Sequence, residues 1–294
     1  MIQTDCSNFG NQPGGRLWMK KLKRTNQLNH LLFMKTVIIP IDFSETSLNA
    51  ARYAAQMLSG KTEAHIILYN LYEDDDDFET HGAYLDSLKN ELQWKGDKVI
   101  ECVREKGDDL IDSLERLAYQ KSATLIVMGI TGKTGLKQAL VGSNTLKVAE
   151  RNVCPVLIIP PNATFSGLKN IALASDFNDV ETNTPAGHIS AVLDMFNAKL
   201  HIVNVDSEIH VALSEEKKTE KEKLGLMFKK FDPEFYFIGT SDFTETMEQF
   251  ATDRSIDMII TVPHYHSFYG KVFGGDSAKK LVYHSSVPVM AVYP

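Results

Sequence analysis

From Met34 onward the chain alternates short β-branched apolar runs with longer stretches of helical period, the pattern of a parallel sheet covered by helices. In the first half the runs predict strands at 36–41, 64–71, 99–105, 124–129 and 155–159. The gaps predict helices at 45–59, 82–95, 108–121 and 143–151. In the second half strands are expected near 170–175, 199–205, 234–238, 257–262 and 288–292.

The second set repeats the first. Val37 to Ser44 reappears as Ile171 to Asn178 at an offset of 134, with Asp-Phe at corresponding positions, and Ala64 to Leu71 reappears as Ala198 to Val205, which aligns Asn70 with Asn204. Leu125-Ile126-Val127 matches Met258-Ile259-Ile260, and Cys154-Pro155-Val156 matches Val287-Pro288-Val289, both at offset 133. A period this long indicates duplicated domains, since solenoid repeats are several-fold shorter. The expected organisation is an extension at 1–34, flexible or non-native, then domains at 35–161 and 168–294. Pro160-Pro161-Asn162-Ala163-Thr164 to Gly167 forms the turn-rich join.

Composition narrows the function classes. The 294 residues are 43% apolar and 23% charged with a net charge of −7, a soluble globular balance without the cationic field that nucleic acid or anionic lipid requires. The first 34 residues carry five basic and one acidic side chain (net +4), which leaves −11 on the remainder; they read as a solvated tail rather than a docking arm. No apolar run reaches membrane-spanning length and no secretory leader is legible. Cys6, Cys102 and Cys154 are too few and too scattered for a disulfide framework. A cytoplasmic protein is expected.

Ligands of open parallel sheets bind beyond the carboxyl ends of the strands. The first strand ends in Asp42-Phe43-Ser44, where Ser44 is placed to cap the next helix. The fourth ends in Met128-Gly129 and continues through Thr131, Gly132 and Lys133 to Gly142-Ser143-Asn144, which opens a helix. Glycines there let a phosphate approach bare N–H groups, and the helix start favours an anion. Lys133 and Lys137 can neutralise outer phosphates, while Ser143 and Thr145 offer hydroxyls. The loop is neither a Walker motif nor G-x-G-x-x-G.

The spacing Gly129-x2-Gly132-x9-Gly142-Ser143-Asn144 resembles the ATP-binding motif of the universal stress proteins, and Pro40-x-Asp42-x-Ser44 resembles their first-strand signature. The resemblance spans about 35–294 as two copies. It implies an α/β fold of two tandem Rossmann-like, doubly wound domains, each a five-stranded parallel sheet flanked by helices. Asp42 is then expected near ribose and adenine, the backbone around Ile41 and Asn70 around the adenine, and the glycine loop on the phosphates. The implied binding set is Pro40, Ile41, Asp42, Ser44, Asn70, Met128, Gly129, Thr131, Gly132, Lys133, Gly142, Ser143 and Asn144. The cofactor is ATP, with Mg²⁺ as an option, and no residue is catalytic. A nucleotide sensor is expected; the alternatives are a nucleotide-free interaction scaffold and, third, a slow ATPase. The expected partners are the nucleotide and the other half of the chain in an intramolecular pseudo-dimer, with a homodimer as a further option; nucleic acid and membrane are excluded.

The second copy departs from the motif, with Val262, Tyr265 and Asp276 where the first has Gly129, Gly132 and Ser143, so triphosphate binding is not expected there. His264 and His266 are metal candidates, but an exposed loop is the preferred reading, since spacing supplies no third ligand. Glu73 to Asp77 reads as a solvated loop, with a cation site as the alternative. Cys102 and Cys154 read as small core residues.

Overall fold

A computed structural model describes residues 36–61, 64–93, 99–130, 143–206, 213–262 and 275–294. Strands β1 (Thr36–Pro40), β2 (His65–Tyr72), β3 (Val99–Lys106), β4 (Leu125–Gly129) and β5 (Val156–Ile159) form the first half of the sheet. The second half contains β6 (Asn170–Ala174), β7 (Lys199–Val205), β8 (Glu234–Ile238), β9 (Met258–Thr261) and β10 (Val289–Ala291). The helices of the first half are α1 (Glu45–Met57), α2 (Asp77–Gln93), α3 (Leu110–Lys121) and α4 (Ser143–Glu150). Those of the second are α5 (Val180–Asn183), α6 (Ala186–Phe196), α7 (Glu215–Met227), α8 (Phe243–Asp253) and α9 (Gly275–His284).

All ten strands lie in one sheet, ordered β3-β2-β1-β4-β5-β10-β9-β6-β7-β8. Read outward from the centre, both halves follow the same internal order. Every neighbouring pair is parallel except β5 with β10, which run antiparallel with Val289 opposite Ile158 and Ala291 opposite Val156. The two five-stranded sheets expected from the repeat are thus joined edge to edge, and Met34–Pro294 forms one compact unit.

The inner strands are apolar on both faces because helices cover both, whereas the edge strands β3 and β8 are partly exposed. On one face a continuous core runs through both halves, from Ile38, Ile126 and Leu114 to Ile259, Met247 and Leu281. On the other face Phe165, from the join, packs edge-on to Tyr53 of α1 at 5.5 Å between ring centroids and lies 6.3 Å from Phe196 of α6. The join is therefore a packed wedge as well as a spacer. Asn49 of α1 fixes it further by donating to the carbonyls of Pro160 and Ala163.

Helix starts follow their capping residues: Ser44 accepts from the Ser47 N–H, and Asp109 accepts from the N–H groups of Ile111 and Asp112. The one substantial boundary difference from the sequence reading is α2, which begins at Asp77 rather than 82. Asp77 and Glu79 lie in its first turn, where carboxylates oppose the positive helix end, so the acidic run is part loop and part helix start.

Candidate functional site

In this strand order the chain leaves β1 toward β2 on one side, while β4 pairs on the other, so a crevice is expected between the carboxyl ends of β1 and β4. Pro40 closes β1, and the Ile41 N–H donates to the Tyr69 carbonyl at 2.7 Å. Asp42 then faces solvent. Its Oδ1 accepts from the Ser44 N–H at 3.0 Å and the Ser44 hydroxyl at 2.5 Å. Burial pushes this carboxyl up, but the hydrogen bonds from Ser44 and Ser47 outweigh it and hold Asp42 below the ordinary carboxylate range. It stands as a negative charge at the strand end.

Between them Phe43 adopts a left-handed φ of 61°, which turns its ring toward α2. The ring lies 4.8 Å from His81 and 5.6 Å from Tyr84. Asn70 is buried at 2% exposure and donates through Nδ2 to the Ile41 carbonyl at 2.9 Å, while its Oδ1 lies 3.1 Å from His81 Nδ1. Ile41, Asn70 and His81 form a hydrogen-bonded brace across the ends of β1 and β2.

On the β4 side Met128 is buried and Gly129 ends the strand. A Cβ at Gly129 would fall on the carbonyl of Thr46 in the first turn of α1, so this glycine is required by packing of the helix as well as by any ligand. Thr145 is not a free hydroxyl: it is buried and donates to the Gly129 carbonyl at 3.1 Å, pinning the start of α4 to the end of β4. Ser143 opens that helix and Asn144 is exposed in its first turn. Asp42, Ser44, Thr46 and Gly129 thus form one continuous wall, since Ser44 Oγ also lies 3.1 Å from Thr46 Oγ1. Thr131, Gly132, Lys133, Lys137 and Gly142 lie outside the described residues.

The second half keeps the asparagine donation to the strand-end carbonyl but, among the described residues, no partner for its Oδ1, and it narrows the crevice to a cavity of about 10 Å³ lined by Ala174, Asp176, Val180 and Val262. Asn204 donates to the Ser175 carbonyl at 2.8 Å, and Phe177 repeats the left-handed turn with a φ of 54°. Asp176 is held through both oxygens, which accept from the Asn178 N–H and side-chain amide. Phe177, however, is 1% exposed and stacks on Phe237 at 5.4 Å. The first helix is broken into α5 and α6 by Pro185, and the Val180 N–H is capped by the buried Glu220 of α7 at 2.8 Å. Val262 is buried at the position of Gly129.

Sequence reading missed His81, Thr46 and Glu220. His81 carries no motif and Thr46 acts through its backbone, so neither leaves a residue-type signal. Glu220 lies in a charged helix whose composition suggests only solvent. Both cysteines are partly buried rather than core residues: Cys154 packs against the core and burial pushes its thiol up to about 12, while Cys102 lies on the edge strand β3, where burial raises its thiol. No group of three metal-ligating side chains occurs among the described residues, and His264, His266 and Tyr265 lie outside them. Among the described residues no helix is long and apolar enough to cross a membrane.

Residues 34–160 match the universal stress protein family. The chain is 32% identical to the universal stress protein MJ0531 of Methanocaldococcus jannaschii over 42% of this chain and 81% of that protein. It is 25% identical to the universal stress protein MJ0577 of the same organism over 42% of this chain and 94% of that protein. Among solved structures, a universal stress protein from Archaeoglobus fulgidus superposes with a TM-score of 0.65 at 16% identity, covering 90% of this chain and 98% of that one.

Proposed function

Because this chain belongs to the universal stress protein family, we propose that its first half binds ATP or a related adenine nucleotide and that the bound state alters contacts with partners. The observation that carries this reading is a coincidence of position. The motif residues at Asp42, Gly129 and Asn144 fall on the ends of β1 and β4 and the start of α4, the two walls of the crevice that the strand order predicts. In this proposal Pro40, Ile41, Asp42, Ser44, Asn70 and Met128 line the nucleoside end. Gly129, Thr131, Gly132, Lys133, Gly142, Ser143 and Asn144 take the phosphates, with Mg²⁺ accompanying the ATP. We read the site as one of binding: Asp42 is committed to the turn with Ser44, and among the described residues of that wall, Asp42, Ser44, Thr46 and Gly129, it is the one carboxylate.

We further propose domains at 35–161 and 168–294 that pack as an intramolecular pseudo-dimer across β5 and β10, in a cytoplasmic protein. For the second half the scaffold reading is favoured, because the buried Val262 stands in place of Gly129 and the cavity between the ends of β6 and β9 is only about 10 Å³.

Denaturing freshly purified protein and weighing any released nucleotide tests the proposal, alongside ATP calorimetry on stripped protein and Gly132→Val. One equivalent of adenine nucleotide, with affinity reduced at least about a hundredfold in the variant, is expected from a side chain blocking backbone approach to phosphate. Absence of both nucleotide and binding heat would leave the scaffold reading for the whole chain. Gly129 is the poorer probe, since its substitution disturbs α1 directly.

A further inference from the structure

A cavity of about 540 Å³ lies between α8 and α9 in the second half. Its lining includes Asp242, Glu245 and Glu248 from α8 and Lys280 and His284 from α9. Glu248 Oε1 is buried without a hydrogen-bond partner, a costly state for a carboxylate oxygen. Asp242 is engaged as the cap of α8, accepting from the Glu245 N–H at 2.9 Å. Lys280 is exposed, and no ion pair joins it to these carboxylates among the described residues.

The first half explains what is missing. At the repeat offset of 133, Glu245 and Glu248 correspond to Asp112 and Glu115, and His284 corresponds to Arg151. In that half Arg151 spans the groove between α3 and α4, meeting Asp112 at 2.6 Å and Glu115 at 3.5 Å. The second half retains both carboxylates and both helices but has a histidine where the guanidinium was. An imidazole is shorter and lacks the planar fork, and no ion pair links His284 to either carboxylate among the described residues. The groove thus keeps the carboxylates of that site without its guanidinium, and its remaining basic side chains are Lys280 and His284.

We propose that this cavity binds a guanidinium group from outside the chain. A guanidinium matches a carboxylate pair with parallel N–H donors and is weakly hydrated, so it leaves water for a half-enclosed site more readily than an alkylammonium. The volume falls in the range of small-molecule sites and accommodates a guanidinium with an alkyl tail. The site is separate from the proposed nucleotide crevice, and its test is independent of it.

The full chain is titrated calorimetrically with agmatine, with acetyl-arginine-amide and with spermidine, and the agmatine titration is repeated on Glu248→Gln and His284→Arg. Agmatine or the arginine amide is expected to bind with a dissociation constant below about 1 mM, and spermidine more weakly. Glu248→Gln should weaken binding about tenfold. His284→Arg restores the internal cation, so it should abolish binding and raise Tm by about 2 °C. That rise also establishes that this variant is folded. Tighter binding of agmatine assigns a free small molecule, and tighter binding of the amide an arginine side chain of a partner protein. Absence of heat from both guanidinium probes at about 10 mM overturns the proposal, as does affinity that survives either substitution unchanged or spermidine binding as tightly as agmatine.

Discussion

The same turn serves opposite ends in the two halves. After β1 and after β6 the chain runs through an aspartate, a left-handed phenylalanine and a polar residue, and an asparagine from the next strand braces the preceding carbonyl. In the first half that turn leads into an unbroken, self-capped helix and leaves Asp42 in solvent. In the second, the helix is split, its cap comes from α7, and the phenylalanine is buried beneath β8 aromatics. A duplicated backbone device therefore holds a strand end in place without itself deciding whether the crevice beyond it is open. What differs is the packing on that turn: His81 and Tyr84 of α2 lie beside Phe43, whereas the β8 aromatics cover Phe177 and Glu220 of α7 caps the helix that follows.

The sharpest way to test this division is to truncate the two phenylalanines. Phe177→Ala removes a ring that is 1% exposed and should cost about 3–5 kcal/mol in denaturant unfolding. Phe43→Ala removes a half-exposed ring over His81 and should cost about 1 kcal/mol. Equal losses would mean that the β8 aromatics hold Phe177 no more firmly than α2 holds Phe43. The next largest effect is expected at the strand end. Gly129→Ala forces a methyl onto the Thr46 carbonyl and should destabilise the ligand-free protein by about 1–3 kcal/mol. Val262→Ala, at the corresponding position, only empties space and should leave α5 in place. A ligand-free Gly129→Ala as stable as the parent would show that α1 does not depend on that close approach.

The strand pattern was legible because strands buried on both faces require continuous apolar runs, and both copies supply them at a constant offset. The strand end at Asp42 and the cap at Ser44 were legible for a similar reason: each follows from one residue and its nearest neighbours in sequence. The antiparallel join of β5 to β10 was not, since each strand looks like an ordinary edge and only the partner makes it central. Nor was the engagement of Thr145 by Gly129, or of Val180 by Glu220, 40 residues away. Hydrogen bonds across such separations leave no periodicity; the sequence reading offered the Thr145 hydroxyl to a phosphate and gave Glu220 no role. The groove between α8 and α9 was hidden for another reason: its meaning lies in the difference between Arg151 and His284, which emerges only when the two halves are compared in space.

The smallest expected effect comes from one more such difference. His201 occupies, on β7, the position that Ile67 occupies on β2, and it is 5% exposed. Its Nε2 lies 3.3 Å from Asn170 Oδ1, its ring stacks on Tyr236, and its Nδ1 is buried without a hydrogen-bond partner. Burial lowers its pKa from the ordinary value; Glu234, 3.6 Å away, opposes that shift, and Lys199 and Arg254 add to it. The folded chain therefore holds the imidazole neutral where the unfolded chain already binds a proton. Stability is retained above the unfolded value of about 6.5 and declines as pH falls through it toward the lower folded value. His201→Ile makes the second half resemble the first and removes this proton linkage. Urea midpoints measured between pH 8 and pH 5 should fall less steeply for the variant than for the parent, with the gap opening below about pH 6.5. Parallel curves would mean that His201 is protonated alike in both states, and that Glu234 offsets the burial in full.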